Sequence, residues 1–100
     1  MNPQPKDKNF RSKKYLNWLK EQPPLIWGTG QTVYHHLKCL NSGGIGLKPP
    51  DNHCIPISDS VHQELHRYGE LNVLDGRYGY NREYLKEAAE KYYKQWLKTV

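Results

Sequence analysis

The side chains best suited to chemistry are five histidines, which all lie within one third of the chain. His35 and His36 are adjacent, and His62 and His66 are four residues apart. Residues four apart share one face of a helix, so His62 and His66 can bind one ion together. Neighbours on a strand point to opposite faces unless the strand ends there, so one imidazole can bind a metal and the other can serve a second task. The two pairs together predict a metal site.

The stretch from Val33 to His66 resembles the HNH endonucleases of the ββα-metal (His-Me finger) type. In that family a His-His pair closes a first strand, a glycine-containing loop follows, a central Asn or His opens a second strand, and His-x3-His lies on the next helix. His53 occupies the central position, nine residues before His62. The chain is especially similar to the phage-associated RecA-dependent recombination-enhancing nucleases. This similarity involves residues 15–19, 36–37, 43–51, 55–57 and 62–66.

The resemblance implies a role for each histidine. His35, His62 and His66 are the expected metal ligands, and His36 is the expected general base, since an ordinary imidazole pKa of about 6.5 suits proton transfer at neutral pH. His53 is expected to fix the loop and orient the base, although an imidazole there can also approach the metal. The expected cofactor is one divalent ion, Mg²⁺, Mn²⁺, Ni²⁺ or Zn²⁺, acting as a Lewis acid.

Other polar residues near the motif leave alternatives open. Lys48 and Arg67 either hold phosphates of a DNA substrate or are solvated surface charges. Asp51 either ends the loop through an Asx turn or orients a ligand histidine through its other ring nitrogen. Cys39 and Cys54 are expected to be free buried thiols rather than a disulfide or metal ligands.

The sequence departs from that nuclease group at one feature. Relatives often carry two Cys-x-x-Cys pairs that hold a structural zinc. By spacing, those positions are Pro24, Trp27, Ser58 and Val61, none of which can supply a thiolate. We therefore expect no structural zinc, with Trp27 and Val61 joining the two segments by apolar packing.

The predicted elements position the motif as follows. A first helix is expected from the N-cap Ser12 to Gln22, before two prolines. The β-branched and aromatic run 32–37 and the short run 54–57 are expected strands, and Pro56 restricts the second to an edge or irregular pairing. The intervening residues 41–51 contain three glycines and two prolines and form an expected functional loop.

Two further helices are expected after the strands. Residues 58–60 offer three candidate N-caps, and Ser60 with Gln63 matches a capping box for a helix ending at Tyr68, with Gly69 as its C′ residue. A turn-rich stretch follows, and Asn81 caps a last helix whose apolar stripe is expected to be core. The stripe comprises Tyr84, Leu85, Ala88, Ala89, Tyr92, Trp96 and Leu97. The predicted fold class is α+β, a ββα-metal HNH core with flanking N-terminal and C-terminal helices.

Length and charge set the remaining expectations. One hundred residues allow one modest core, so residues 11–100 are expected to form a single domain. Residues 1–20 contain six basic side chains and one acidic one, whereas residues 21–100 are neutral overall. Residues 1–10 are therefore expected to be a disordered basic arm, which either attracts polyphosphate or is a solubilising tail. No apolar run suits a membrane span or a signal peptide, which favours a soluble protein of the bacterial host cytoplasm.

These observations favour a metal-dependent endonuclease that hydrolyses DNA phosphodiester bonds in phage or bacterial recombination. The alternative is a catalytically silent ββα module that binds DNA or assists recombination. A purely structural zinc module is less favoured, because such sites use four closed ligands, typically with cysteines. The expected partner is DNA, free or within a recombinase filament, without a membrane, and the protein is expected to act as a monomer or a homodimer.

Overall fold

The computed structural model describes residues 10–40 and 49–100. The predicted arm, apart from Phe10, and most of the predicted loop lie outside these ranges. The described part is of mixed α+β class, as predicted, with one two-stranded antiparallel sheet, four α-helices and two short 3₁₀ helices, Lys38–Leu40 and Asp51–His53. In chain order the elements are α1 Lys13–Lys20, β1 Thr32–His36, β2 Cys54–Ser58, α2 Asp59–Tyr68, α3 Glu70–Leu74 and α4 Arg82–Leu97.

The first and last helices begin at the predicted caps. The Ser12 hydroxyl accepts a hydrogen bond from the Tyr15 amide at 3.1 Å, and the Asn81 side chain accepts one from the Tyr84 amide at 2.9 Å. Each bond satisfies an amide that lacks a partner within its own helix, so the two starts were readable from local sequence.

The sheet pairs β1, which carries His35 and His36, with β2, which begins directly after His53. His35 lies opposite Ile55 and His36 opposite Cys54. On its other side, β2 contacts residues 25–28, because the Leu25 amide donates to the Pro56 carbonyl at 2.7 Å and Ile26 forms a parallel bridge with Ile57. Pro56 pairs with Tyr34 in an unbroken register, so of the two predicted alternatives the edge position fits and irregular pairing does not: β2 is an outer strand of a two-stranded sheet, with an isolated bridge on its other side.

The contact between residues 24–29 and the start of α2 differs from the prediction. Trp27 is 73% exposed, so it does not supply the expected apolar packing, whereas Ile26 and Val61 are buried together. Hydroxyl groups also join the two segments: the Gly28 amide donates to Ser58 Oγ and the Thr29 amide to Ser60 Oγ, both at 2.8 Å. The segments are therefore held by backbone and serine hydrogen bonds around a small apolar contact.

The second helix also corrects a prediction. It begins at Asp59 after Ser58, and no capping box forms, because Gln63 Nε2 donates to Asp59 Oδ2 while Ser60 accepts from the Thr29 amide. Its end is as predicted: Gly69 adopts φ +98°, a conformation that favours glycine, and its amide donates to the Leu65 carbonyl. The chain then enters α3, a short helix within the stretch predicted to be rich in turns.

Two apolar clusters lie on either side of the sheet. One is aliphatic and contains residues of β2, α2, α3 and α4; the other is aromatic and includes Phe10, Tyr15 and Tyr93. Phe10 is 5% exposed and belongs to the folded domain, so the predicted arm does not extend through this residue. On α4 the stripe prediction was wrong in part, because Tyr84 is exposed whereas Tyr93 is fully buried. No helix within the described ranges is long and apolar enough to cross a membrane.

Candidate metal centre and adjoining base

The end of β1 presents its two histidines to different surroundings. Strand alternation turns His35 toward α2 and α3, where it is 8% exposed, and turns His36 toward the short 3₁₀ turn Asp51–His53. The sequence-predicted division between the two neighbours is therefore present in the geometry.

His35 lies next to the pair on α2. Its ring centre is 5.3 Å from that of His62 and 6.4 Å from that of His66. The two α2 rings are 4.4 Å apart, and their Nε2 atoms are 3.1 Å apart. The three predicted ligands thus lie together, His35 buried, His62 half-buried and His66 exposed.

Glu70 completes the surroundings of His35, and the sequence analysis missed it. Its Oε2 accepts a hydrogen bond from His35 Nε2 at 2.6 Å and from the Lys38 amide at 3.0 Å, and its Oε1 accepts one from the Cys39 amide at 2.8 Å. Burial alone would raise the pKa of Glu70, but these hydrogen bonds outweigh it and hold the pKa below its ordinary value. Glu70 is therefore an ionised acceptor, which places the His35 proton on Nε2 and leaves Nδ1 as the nitrogen with a free lone pair.

The donor set fits a divalent ion in chemistry and nearly in spacing. With ligand nitrogens about 2.1 Å from a metal, the ring centres of two tetrahedral ligands lie about 5.3 Å apart. The separation of His35 from His62 matches this value, whereas His66 is about 1 Å too far from His35 and about 1 Å too close to His62. Accordingly, no group of three or more His, Cys, Asp or Glu side chains within residues 10–40 and 49–100 is positioned to hold a metal as it stands.

Protonation and hydrogen bonding favour ligand function for these imidazoles. Burial, together with the neighbouring His35 and His66, lowers the pKa of His62, although Asp59 opposes the shift. The neutral form of His62 is therefore favoured, and neutral imidazole is the form that binds metals. A carboxylate on the second nitrogen of a ligand histidine, as Glu70 is for His35, is the usual arrangement at such sites.

His36 has its own carboxylate. Its Nε2 donates to Asp51 Oδ1 at 2.9 Å, and Asp51 Oδ2 accepts from the Ser12 amide at 2.8 Å. Asp51 is 3% exposed, and Arg11 lies 3.9 Å from Oδ1. Asp51 therefore contacts a histidine, as one of its two predicted alternatives requires, but this histidine is His36, the expected base, whereas Glu70 contacts the expected ligand His35.

His53 lies away from this cluster. It lines a cleft of about 420 Å³ together with Leu40 and three side chains of α4, Arg82, Glu83 and Lys86. Its Nδ1 is buried without a hydrogen-bond partner in the described part of the chain. Burial and Lys86 lower the pKa of His53, and Glu90 opposes them. Only its backbone adjoins the base, through a 2.8 Å hydrogen bond from the Leu37 amide to its carbonyl. The imidazole is thus not placed to orient His36.

The predicted phosphate-binding pair is only half described. Lys48 lies outside the described residues. Arg67 is exposed on the last turn of α2, one residue after His66 and therefore about 100° around the helix from it.

Both cysteines are free, Cys54 buried and Cys39 half-buried, as predicted. Burial and the nearby Glu70 raise the pKa of Cys39 to about 12, so it stays a thiol and is a poor metal ligand.

Comparison with known proteins gives family membership without an activity. The chain is 32% identical over 75 residues to the "Uncharacterized protein YdfU" of Escherichia coli (strain K12). That match covers 75% of this chain and 21% of the relative, so the chain spans about a fifth of the relative's length. No solved structure matches. A family model matches residues 2–95, and the chain therefore belongs to the family described as "Protein of unknown function (DUF968)".

Proposed function

We propose that this domain is a metal-dependent endonuclease of the HNH ββα-metal type that hydrolyses DNA phosphodiester bonds. The main support is the pair of histidines at the end of β1. His35 faces two more imidazoles and Glu70, and its neighbour His36 is bonded separately to Asp51. A structural metal site has no need for the second histidine or its carboxylate, whereas hydrolysis needs a base beside the ion.

The ion would be held by His35, His62 and His66. When bound, it supplies Lewis-acid stabilisation of the phosphate and of the departing oxygen. The protein prepares the ligands by keeping His62 neutral and by fixing the proton of His35 on Nε2 through Glu70. Mg²⁺, Mn²⁺, Ni²⁺ and Zn²⁺ remain candidates, with imidazole donors suiting the last two.

His36 would act as the general base. The hydrogen bond between Nε2 and Asp51 orients the imidazole, which would take a proton from the attacking water. The imidazolium that forms would be stabilised by the buried Asp51 carboxylate, which the Ser12 amide and Arg11 orient. In this mechanism Asp51 is a positioning residue, since it acts through His36.

The biological setting follows from the same proposal. The substrate is DNA, free or within a recombinase filament, and the reaction belongs to phage or bacterial recombination in the cytoplasm. One site cuts one strand at a time, so double-strand cleavage would need two visits or a homodimer.

A plasmid-nicking assay tests the proposal. Wild type and His36→Ala are incubated with supercoiled DNA in EDTA and with each of the four ions in turn. We expect nicking by wild type with at least one ion and none in EDTA. His36→Ala should nick at least about 100-fold more slowly, the usual contribution of a general base. Calorimetric titration of both proteins with Ni²⁺ controls for folding, because His36→Ala should still bind the ion.

The alternative, a catalytically silent DNA-binding module, makes a different prediction. It is favoured by the distance of His66 from His35, which leaves the ligand set open as the side chains stand. DNA binding by wild type that is unchanged by EDTA, with no nicking under any ion, would support this alternative over the nuclease.

A further inference from the structure

A polar groove runs from the histidine cluster along β1 toward the end of α1. Its volume is about 580 Å³. The lining residues are Lys20, Gln31, Thr32, Val33, Tyr34 and His62. Because His62 is one wall, whatever lies in the groove continues directly into the candidate metal centre.

The groove follows the outer edge of β1. Side chains alternate between faces along a strand, so a cleft on one face would be lined by every second residue. Here residues 31–34 are consecutive and all line the cleft, which therefore lies along the strand edge opposite to β2. Such an edge exposes backbone donors and acceptors as well as side chains.

The register assigns one of these donors to Tyr34. Tyr34 pairs with Pro56, which has no N–H and whose carbonyl accepts from Leu25 on the far side of β2. The pair therefore exchanges no hydrogen bonds across the sheet, and the Tyr34 N–H and C=O point away from β2. The amide of Tyr34 faces the groove as a hydrogen-bond donor.

Lys20 adds a positive charge to the same groove. It is exposed at the end of α1, with Nζ 6.0 Å from the centre of the Tyr34 ring, a cation–π distance that keeps the ammonium over the groove. Within the described ranges no carboxylate forms an ion pair with Lys20, and no acidic residue lines the groove. A cation and a backbone N–H aligned along a strand edge are suited to an anionic chain.

We propose that this groove binds the sugar-phosphate backbone of the DNA strand next to the scissile phosphate, with Lys20 and the Tyr34 amide as phosphate donors. This inference rests on the proposed nuclease function. In this arrangement the bound DNA strand approaches the candidate metal-binding histidines from the side of His62. Its phosphates contact residues of α1 and β1 as well as Arg67.

The test measures binding of the full chain to a fluorescent single-stranded oligonucleotide by anisotropy, in EDTA, over a range of salt concentrations. Lys20→Gln should weaken binding about three- to tenfold and lower the slope of log K against log salt by about 0.7, the value for one lost phosphate contact on a single strand. Lys94→Gln is the matched control, because it removes the same charge from an exposed position on α4. It should keep at least most of the wild-type slope and affinity.

Two results would contradict the proposal that DNA binds in this groove. One is a salt slope in Lys20→Gln equal to that of wild type; the other is an equal loss of DNA affinity in Lys94→Gln, which would indicate general charge attraction. Tyr34→Leu provides a second variant. It keeps the lysine and the backbone amide but removes the ring, so it should weaken binding less than Lys20→Gln does.

The outcome is separable from that of the nuclease proposal, because EDTA prevents metal-dependent cleavage during the binding measurement. If wild type nicks DNA and Lys20→Gln binds DNA as tightly as wild type, the proposed binding groove is refuted and the proposed nuclease activity is not. A reduced slope in Lys20→Gln with no nicking by wild type would support the groove and refute the nuclease.

Discussion

The two faces of β1 hold neighbouring histidines in opposite chemical settings. On one face, His35 has a carboxylate on Nε2 and two further imidazoles nearby. On the other face, His36 also has a carboxylate on Nε2, and the Tyr34 ring centre lies 5.7 Å from its own. A single step along the strand thus separates a cluster suited to an ion from an imidazole suited to a proton.

The two carboxylates differ in what fixes them. Glu70 accepts the amides of residues 38 and 39, which follow β1 directly, so the histidine and its partner are tied to one local segment. Asp51 accepts the Ser12 amide and therefore links the base to the start of α1. Under the proposed function, metal affinity should therefore depend on the side of the sheet formed by β1, α2 and α3, and the action of His36 as a base should depend on the packing of α1.

Removal of a ligand histidine should have the largest effect. We expect His62→Ala to reduce Ni²⁺ or Zn²⁺ affinity by more than about 100-fold, exceeding the 10- to 100-fold typical of an outer partner. His36→Ala should change the affinity by less than about threefold, because His36 lies on the other face. Isothermal titration calorimetry measures both, and circular dichroism confirms that both variants fold. An equal loss of affinity in the two variants would contradict the division between the faces.

Exchange of the carboxylates for amides should give the next largest effect, and it should separate the faces again. Glu70→Gln is expected to reduce metal affinity about 10- to 100-fold. Asp51→Asn should leave metal affinity unchanged and lower the nicking rate at saturating metal, since the imidazolium of His36 loses its counter-charge. Titration calorimetry measures the metal affinity of both variants, and single-turnover nicking measures their cleavage rates, so the two measurements together check that each variant affects a different property.

Thermal unfolding of Glu70→Gln and Asp51→Asn is the control for folding, because both carboxylates also accept hydrogen bonds from backbone amides. A loss of metal affinity in Asp51→Asn as large as that in Glu70→Gln would show that the two faces act as one unit.

Residues fixed by local periodicity were predictable from the sequence. Helix spacing placed His62 and His66 on one face, strand alternation separated His35 from His36, and Ser12 and Asn81 capped their helices as expected. Each of these features depends on the conformation of fewer than about two helical turns, so composition and spacing suffice.

Residues fixed by tertiary packing were not predictable. Glu70 reaches His35 across 35 positions of sequence, through a short helix that starts after Gly69. In the sequence, the one local sign of this arrangement was the glycine Gly69 directly followed by the acidic Glu70. His53 illustrates the converse: it matches the family spacing, but the 3₁₀ turn Asp51–His53 directs its ring toward α4. Spacing identifies a position along the chain and leaves the direction of the side chain open.

Substitution of His53 should have the smallest effect on nicking. It tests whether the cleft between His53 and α4 contributes to the action of His36 as a base. Burial and then Lys86 lower its pKa, with Glu90 opposing, and Arg82 and Glu83 line the same cleft. A histidine whose pKa is lowered on folding binds its proton more readily in the unfolded chain. Its contribution to stability is therefore complete above the ordinary value of about 6.5 and is lost as the pH falls from there through the folded pKa.

We expect the melting temperature of wild type to fall between about pH 7.5 and pH 5.5, around the ordinary imidazole value, and to fall less in His53→Gln, which cannot take up that proton. The remaining fall in the variant is assigned to His62, whose pKa is also lowered. The same variant should nick DNA within about tenfold of wild type, below the usual contribution of a general base, since only the His53 backbone adjoins the base. Parallel pH curves for the two proteins, together with a loss of nicking as large as that of Asp51→Asn, would instead return His53 to the role that its spacing predicts.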